Sequence, residues 1–121
     1  MTYRNTSRNP VLINGGRTLR AECQKIDGGW VISEIDLNAC IGNLNGFLAW
    51  DMRNFSDTAE DILLEEDGRK LTCMVRKVDG RHRERQGIYL DKIHNFNGVL
   101  TYRMLDPVSL ESVGAARVDY F

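Results

Sequence analysis

Hydrophobic and polar residues alternate with a period of two along several short stretches of the chain. Residues 19–24 read Leu-Arg-Ala-Glu-Cys-Gln, and residues 47–50 and 99–102 each place a leucine and an aromatic residue on one face. Such alternation is typical of half-buried strands. Asp27-Gly28 and Asp79-Gly80 are hairpin-turn signals between them. The pattern predicts an all-β protein with little helix, with short helical turns as the alternative for residues 35–38 and 88–91.

The chain repeats itself at a separation of about 52 residues. Tyr3 matches Phe55 and Leu19 matches Leu71. Residues 41–50 and 93–102 share the pattern Ile-x-Asn-x-Asn-Gly-x-Leu-x-aromatic. The repeats cover residues 3–52 and 55–102, and neither is long enough to bury a core alone. We expect one domain over residues 1–102, followed by a C-terminal tail, 103–121, as a frayed or loosely docked terminus.

The composition and net charge of the chain limit which binding partners are expected. The 121 residues have 42% hydrophobic and 27% charged content, a net charge of −1 and a pI near 6.1. No global charge selects nucleic acid or an anionic membrane, so neither partner is expected. The N-terminus lacks the apolar region of a signal peptide, and no apolar run is long enough to span a bilayer. These features predict a cytoplasmic protein.

Three cysteines, Cys23, Cys40 and Cys73, are an odd number without metal-like clustering. They predict buried free thiols in a reducing compartment. A single Cys23–Cys73 bridge stays open as the alternative.

No residue pattern predicts an enzyme, a metal site or a cofactor. His82 and His94 lie at non-equivalent repeat positions, and no Ser, Cys or acid stands at a recognisable catalytic spacing from them. The acidic stretch within residues 57–67 is typical of a solvated surface. Residues 76–85 are locally basic, which leaves polyanion binding open beside a plain solvated hairpin.

The duplicated Asn-x-Asn-Gly loops are the candidate binding feature. Asn and Gly suit tight turns on structural grounds alone, because both tolerate positive φ. A turn needs only one such Asn, however. Two amides in one loop offer both donors and acceptors, which suits a polyhydroxylated ligand such as a sugar.

At these residues the chain resembles the cyanovirin-N homology (CVNH) family of mannose-binding lectins. The resemblance runs through residues 27–50 in the first repeat and through residues 54–58 and 88–102 in the second. It implies two pseudosymmetric lobes, each a three-stranded sheet with a β-hairpin, with segments exchanged between the sequence repeats. It also implies that each lobe binds α1,2-linked mannose oligosaccharides, without a metal ion and without catalysing a reaction.

The resemblance assigns site residues by position. One pocket would use Asn5, Thr6, Gln24, Lys25, Ile26, Asn95, Phe96 and Asn97. The other would use Asn43, Leu44, Asn45, Arg53, Asn54, Asp57, Thr58, Arg76, Lys77 and Val78. Polar groups would bond sugar hydroxyls, whereas Ile26, Leu44 and Phe96 would shape the pockets.

Two departures from the family pattern bear on function. The positions matching family disulfides are Ser7 with Cys23 and Ala59 with Val75, so neither bridge can form, as in the fungal members. Asn45 and Asn97 stand where the family often has Asp, which predicts weaker sites because an amide accepts sugar hydroxyls less strongly than a carboxylate. Gln24-Lys25-Ile26 in one pocket stands against Arg76-Lys77-Val78 in the other, which predicts unequal sites. We expect a monomer, with a domain-swapped dimer as the alternative. A protein-interaction scaffold with degraded sugar pockets is the alternative function.

Overall fold

Residues 2–102 are described by a computed structural model of the chain, which is built almost entirely from antiparallel strands. The strands of the first half are β1 Ser7–Ile13, β2 Thr18–Gln24, β3 Trp30–Asp36, β4 Ile41–Leu44 and β5 Phe47–Trp50. Those of the second half are β6 Ala59–Glu65, β7 Lys70–Val75, β8 Gln86–Tyr89, β9 Ile93–Phe96 and β10 Val99–Tyr102. Short 3₁₀ helices cover Tyr3–Thr6, Asn14–Gly16, Leu37–Ala39 and Phe55–Thr58.

The strands form two lobes that exchange segments between the repeats. β1–β2–β3 and β6–β7–β8 are three-stranded antiparallel sheets, and β4–β5 and β9–β10 are hairpins. β10 contacts β3, so the last hairpin of the second repeat packs on the sheet of the first repeat. β5 contacts β8 in the same manner. We call the lobe with β1–β3 and β9–β10 the first lobe and the other the second lobe. The predicted all-β fold and segment exchange are confirmed.

The backbone repeats at the level of single residues. Asn9 and Asp61 both have positive φ, 54° and 55°, at bulges that interrupt the pairing of β1 with β2 and of β6 with β7. Ser7 pairs with Cys23 and Ala59 pairs with Val75 across these strands. The residues at the two family disulfide positions are therefore cross-strand neighbours. All three cysteines are buried and free, so the alternative of a Cys23–Cys73 bridge is wrong.

One hydrophobic core joins the lobes. The aromatic rings of the equivalent residues Tyr3 and Phe55 are fully buried in it. The Tyr3 hydroxyl donates to the carbonyl of Gly68 in the second lobe. Trp50 and Tyr102, also equivalent, stack on each other with ring centroids 5.4 Å apart. Each lobe supplies one ring of this pair, and both rings pack against the shared core. The two sequence repeats therefore form one domain with a common core.

Residues 35–38 and 88–91, for which short helical turns were the alternative to strands, are partly strand and partly turn. Residues 35–36 and 88–89 end strands β3 and β8, whereas Leu37–Ala39 forms a 3₁₀ helix. The Asp36 carboxylate accepts a hydrogen bond from the Asn38 amide at 2.9 Å, which starts that turn. In the described part of the chain, no helix has the length and apolar character to cross a membrane. The prediction for the tail, 103–121, lies outside the described residues.

Candidate functional site

Two hairpin turns of the same shape join β4 to β5 and β9 to β10. Asn45 and Gly46 have φ of 49° and 90°, and Asn97 and Gly98 have φ of 50° and 92°. Positive φ at both central residues defines a type I′ turn, for which Asn-Gly is the favoured pair. The second Asn of each Asn-x-Asn-Gly motif is therefore a turn residue.

The first Asn of each motif ties its hairpin to the rest of its lobe. Asn95 Nδ2 lies 2.9 Å from both Thr6 Oγ1 and the Gln24 carbonyl, and Asn95 Oδ1 accepts from Gly98 N at 2.7 Å.

Asn43 repeats this arrangement in the second lobe. Its Nδ2 donates to Thr58 Oγ1 and to the Arg76 carbonyl, both at 2.7 Å, and its Oδ1 accepts from Gly46 N at 2.6 Å. These half-buried amides hold the fold together, and their donors are occupied by protein acceptors.

The turn asparagines make a second contact with the facing turn. Asn97 Oδ1 accepts from Ile26 N, and Asn45 Oδ1 accepts from Val78 N, both at 2.9 Å. Ile26 and Val78 lie at the tips of the β2–β3 and β7–β8 connections and are 89% and 88% exposed. Each lobe thus presents a hairpin turn latched against a second turn with an apolar tip. We call these paired turns, together with the asparagine and threonine that anchor each hairpin (Asn95 with Thr6, Asn43 with Thr58), the latch of each lobe.

The predicted site residues of the first lobe gather around its latch. Thr6, Gln24, Ile26, Asn95 and Asn97 are joined by the bonds just described. Lys25 lies against Gly98: a Cβ atom built on Gly98 would be 2.9 Å from the Cγ of Lys25. The Nζ of Lys25 is 3.7 Å from the Asp27 carboxylate. Phe96 is half exposed at the rim.

Asn5 differs from the other predicted residues of the first lobe in its surroundings. It lines a cleft of about 360 Å³ together with Thr2, Arg69, Tyr89, Leu90 and Asp91. Its exposed side chain makes no hydrogen bond to protein within residues 2–102.

In the second lobe the predicted residues divide into latch and rim. Asn43, Asn45, Thr58 and Val78 belong to the latch, and Lys77 pairs with Asp79 at 3.7 Å. Leu44 is exposed at the edge of the hairpin. The rim consists of exposed residues whose side chains make no hydrogen bond or ion pair within the described chain: Arg53, Asn54, Asp57 and Arg76.

Sequence reasoning missed Arg83 as part of the second latch. Its guanidinium lies over the Phe47 ring, 3.9 Å from the centroid, and donates to the Asn45 carbonyl at 3.1 Å. A Cβ built on Gly46 would approach Arg83 Nε to 2.8 Å. Arg83 had a signal in the sequence, since it falls in the basic stretch 76–85, but its contact with the hairpin was not visible there.

The other charges of the basic stretch are partly neutralised. Arg85 pairs with Asp61 and also donates to Thr72 Oγ1 at 3.0 Å. Arg76 and Arg81 are exposed and form no ion pair within the described chain. The stretch is therefore not one continuous cationic surface.

Another concavity lies away from the latches. A groove of about 450 Å³ runs between residues 10–12 of β1 and residues 62–68 at the end of β6. It lies between the repeats and contains none of the predicted site residues. Among residues 2–102, no group of three or more His, Cys, Asp or Glu side chains is placed to hold a metal ion.

Comparison with known proteins gives one consistent result. Residues 3–101 match the profile described as the CVNH domain. A Cyanovirin-N homolog of Tuber borchii is 63% identical over 103 residues, which cover 85% of this chain and 100% of the relative. The structure of the T. borchii CVNH protein superposes with a TM-score of 0.79, at the same 63% identity and over 85% of this chain and all of that one.

Two of the similar structures contain a carbohydrate. A microvirin:mannobiose complex has a TM-score of 0.73 and 32% identity, over 84% of this chain and 98% of that chain. A MoCVNH3 variant in complex with (N-GlcNAc)4 has a TM-score of 0.77 and 28% identity, over 84% and 96% of the two chains.

Proposed function

This chain belongs to the cyanovirin-N homology (CVNH) family, and on that premise we propose that it is a lectin for mannose-type, α1,2-linked oligosaccharides. Each lobe supplies one pocket at its latch. The similar microvirin structure, a complex with mannobiose, supports the mannose assignment. Neither pocket requires a metal or a reaction, because hydrogen bonds and apolar contacts are enough to hold a sugar.

The observation behind this proposal is that each lobe has a polar side chain next to its latch threonine that the fold does not use. Asn5 and Asp57 stand at equivalent positions, one residue before the latch threonines Thr6 and Thr58. Both side chains are exposed and make no hydrogen bond or ion pair among the described residues. A sugar hydroxyl seated beside either latch would find an acceptor there, and the threonine hydroxyls can still donate.

The expected affinity is modest. Each sugar hydrogen bond replaces a bond to water, so its net contribution is about 1 kcal/mol. A shallow rim with a few such bonds corresponds to millimolar to micromolar dissociation constants, roughly −4 to −8 kcal/mol per site. We also propose that the protein acts as a monomer in a reducing location, which suits its three buried thiols.

The test is a titration of the full ¹⁵N-labelled chain with α1,2-mannobiose, followed through backbone amide shifts. Amides of residues 43–46, 95–98 and their facing turns should shift in a saturable manner. The absence of shifts in both turns at several millimolar sugar would refute mannose binding. A parallel titration with chitotetraose distinguishes a GlcNAc lectin, since a similar protein was solved with that class of ligand.

Matched substitutions assign the pockets. Asn5→Ala should weaken only the first pocket, by roughly threefold to tenfold, because one neutral hydrogen bond is lost. Asp57→Ala should weaken only the second, by about tenfold or more, because the acceptor is charged. Neither side chain supports the fold, so thermal stability should not change. Sugar binding unaffected by both substitutions would place the ligand elsewhere, and no sugar binding at all would favour the interaction scaffold.

A further inference from the structure

The two latches have the same backbone but different charge. A side chain at Gly98 would meet Lys25 and Val31, whereas a side chain at Gly46 would meet Lys77 and Arg83. Val31 and Arg83 therefore occupy the same place in the two lobes. The first latch has an aliphatic side chain there, and the second has a guanidinium.

Arg83 is fixed in this position by two contacts and keeps unused donors. Its planar group lies on the Phe47 ring, and one terminal N–H donates to the Asn45 carbonyl. Its Nε is buried and has no acceptor among the described residues, so the donors left for a ligand are the other three N–H groups, on the terminal nitrogens. A guanidinium carries five N–H donors in a rigid fork that matches the oxygens of phosphate or sulfate. Because Arg83 is already held on the hairpin, little side-chain freedom remains to be lost on binding.

Neighbouring positions add to this difference. Arg76 and Arg81 stand where the first lobe has Gln24 and Gly29. Neither is ion-paired within the described chain, and exposed Arg53 at the same rim is unpaired as well.

Two acids partly offset these cations. Asp57 and Glu84 stand where the first lobe has Asn5 and Ile32, so the surplus of positive charge is small. The placement of Arg83 at the hairpin turn, rather than the net charge, is what distinguishes the second pocket.

We propose that the second pocket is selective for a sugar that carries an anionic group, a phosphate or a sulfate ester, with Arg83 as its main anion contact. This inference rests on the proposed lectin function, because it assumes that a sugar ring seats beside the latch. The first pocket, with Val31 in place of Arg83, takes neutral sugars. The chain is then a lectin with two different specificities on one duplicated frame.

Titration of the full ¹⁵N-labelled chain at low salt provides the test. The probes are methyl α-mannoside, mannose 6-phosphate, mannose 6-sulfate and inorganic phosphate. At residues 43–46 and 76–83, one or both anionic sugars should bind at least about tenfold tighter than the neutral sugar, since hydrogen bonds between charged groups are stronger than those between neutral ones. Raising the salt concentration should weaken this binding. Which ester binds tighter identifies the anion.

Exchange of the equivalent residues sharpens the test. Arg83→Val should abolish the preference for the anionic sugar at the second pocket. Val31→Arg should create it at the first pocket, which keeps the test decisive even if Arg83→Val fails to fold. Arg17→Gln, which removes an exposed arginine outside the basic stretch, is the matched charge control and should change nothing.

Three results would overturn the inference. They are equal binding of neutral and anionic sugars, a preference unaffected by both exchanges, and binding of inorganic phosphate as tight as that of the sugar phosphate. The last would indicate an anion site without sugar recognition. Failure of the lectin proposal is distinguishable from these, because it would appear as no binding of methyl α-mannoside or mannobiose at either pocket.

Discussion

Replacement of Asn95 by alanine would measure how much the latch contributes to the fold. The Asn95 side chain has two N–H groups facing three acceptors, Thr6 Oγ1 and the carbonyls of Gln24 and Thr6, and its oxygen accepts from Gly98. At most two of the three acceptors can be fully bonded at one time. The substitution therefore removes three hydrogen bonds from a half-buried site.

The expected cost follows from that count. A hydrogen bond contributes about 1 kcal/mol net, and a buried acceptor left unpaired costs at least as much, so Asn95→Ala should lower the free energy of unfolding by about 3 kcal/mol. For a domain of this size, 1 kcal/mol corresponds to roughly 4 °C. The midpoint of thermal unfolding should therefore fall by about 12 °C, and the urea midpoint should fall without a change in slope.

Two further variants separate the latch from general surface effects. Asn97→Gly removes only the bond from Ile26 N and keeps the positive φ that Gly adopts freely, so it should cost about 1 kcal/mol. Asn5→Ala removes an exposed side chain that makes no hydrogen bond within residues 2–102, so its stability should lie within about 0.5 kcal/mol of that of the unsubstituted protein.

The order of the three variants decides the outcome. If Asn95→Ala costs no more than Asn97→Gly, then water replaces the Asn95 bonds at little cost and the latch is not structural. Asn95 would then be available to a ligand, and its amide would have to be counted among the sugar contacts. The measurement thus separates the structural role of this asparagine from its predicted binding role.

Three other predictions concern ionisable groups. The hydrogen bond from Arg8 lowers the pKa of Glu22, and the hydrogen bond from Arg4 lowers the pKa of Asp67. Both carboxylates therefore stabilise the folded state at pH values above their unfolded-state pKa. This stabilisation is lost as the pH falls through their pKa in the folded state. Urea midpoints should therefore decline below about pH 4, and less steeply in Arg4→Gln and Arg8→Gln. Burial raises the pKa of Tyr3 far above its usual 10.0, so stability should decline above about pH 10, and Tyr3→Phe should flatten that decline while costing about 1–2 kcal/mol at neutral pH. Burial likewise raises the pKa of the Cys40 thiol to about 12 and that of the Cys73 thiol to about 11. Because all three thiols are buried, a thiol reagent should label none of them in the native protein and all three in denaturant. Rapid labelling of the native chain would contradict their burial.

The strands and the internal repeat could be predicted from the sequence because each depends on the local spacing of residues. The alternation of residues 19–24 places Leu19, Ala21 and Cys23 in the core, as the structure confirms. The separation of 52 residues pairs Tyr3 with Phe55, and both rings are fully buried. Period-two burial and internal repetition are properties of neighbouring or evenly spaced residues, so a linear reading detects them.

The roles of the loop asparagines were not visible in the same way. Asn95 bonds to Gln24, and Asn43 bonds to Arg76, across 71 and 33 positions of the chain. These partners meet only because the hairpins pack on sheets drawn from other parts of the repeats. A sequence pattern shows two amides in a loop, and it cannot show that protein acceptors already occupy their donors. The contact of Arg83 with Phe47 was hidden for the same reason.

The duplication within the chain separates the fold from the binding surface. Residues that are the same in both copies, such as Asn43 with Asn95 and Gly46 with Gly98, form the latches. Such identity is expected where a turn and its hydrogen bonds must be rebuilt in each lobe. Two positions beside them differ instead, with Asp57 against Asn5 and Arg83 against Val31. Neither pair takes part in the hydrogen bonds that both lobes share, so these differing positions, rather than the shared asparagines, should determine what each pocket binds.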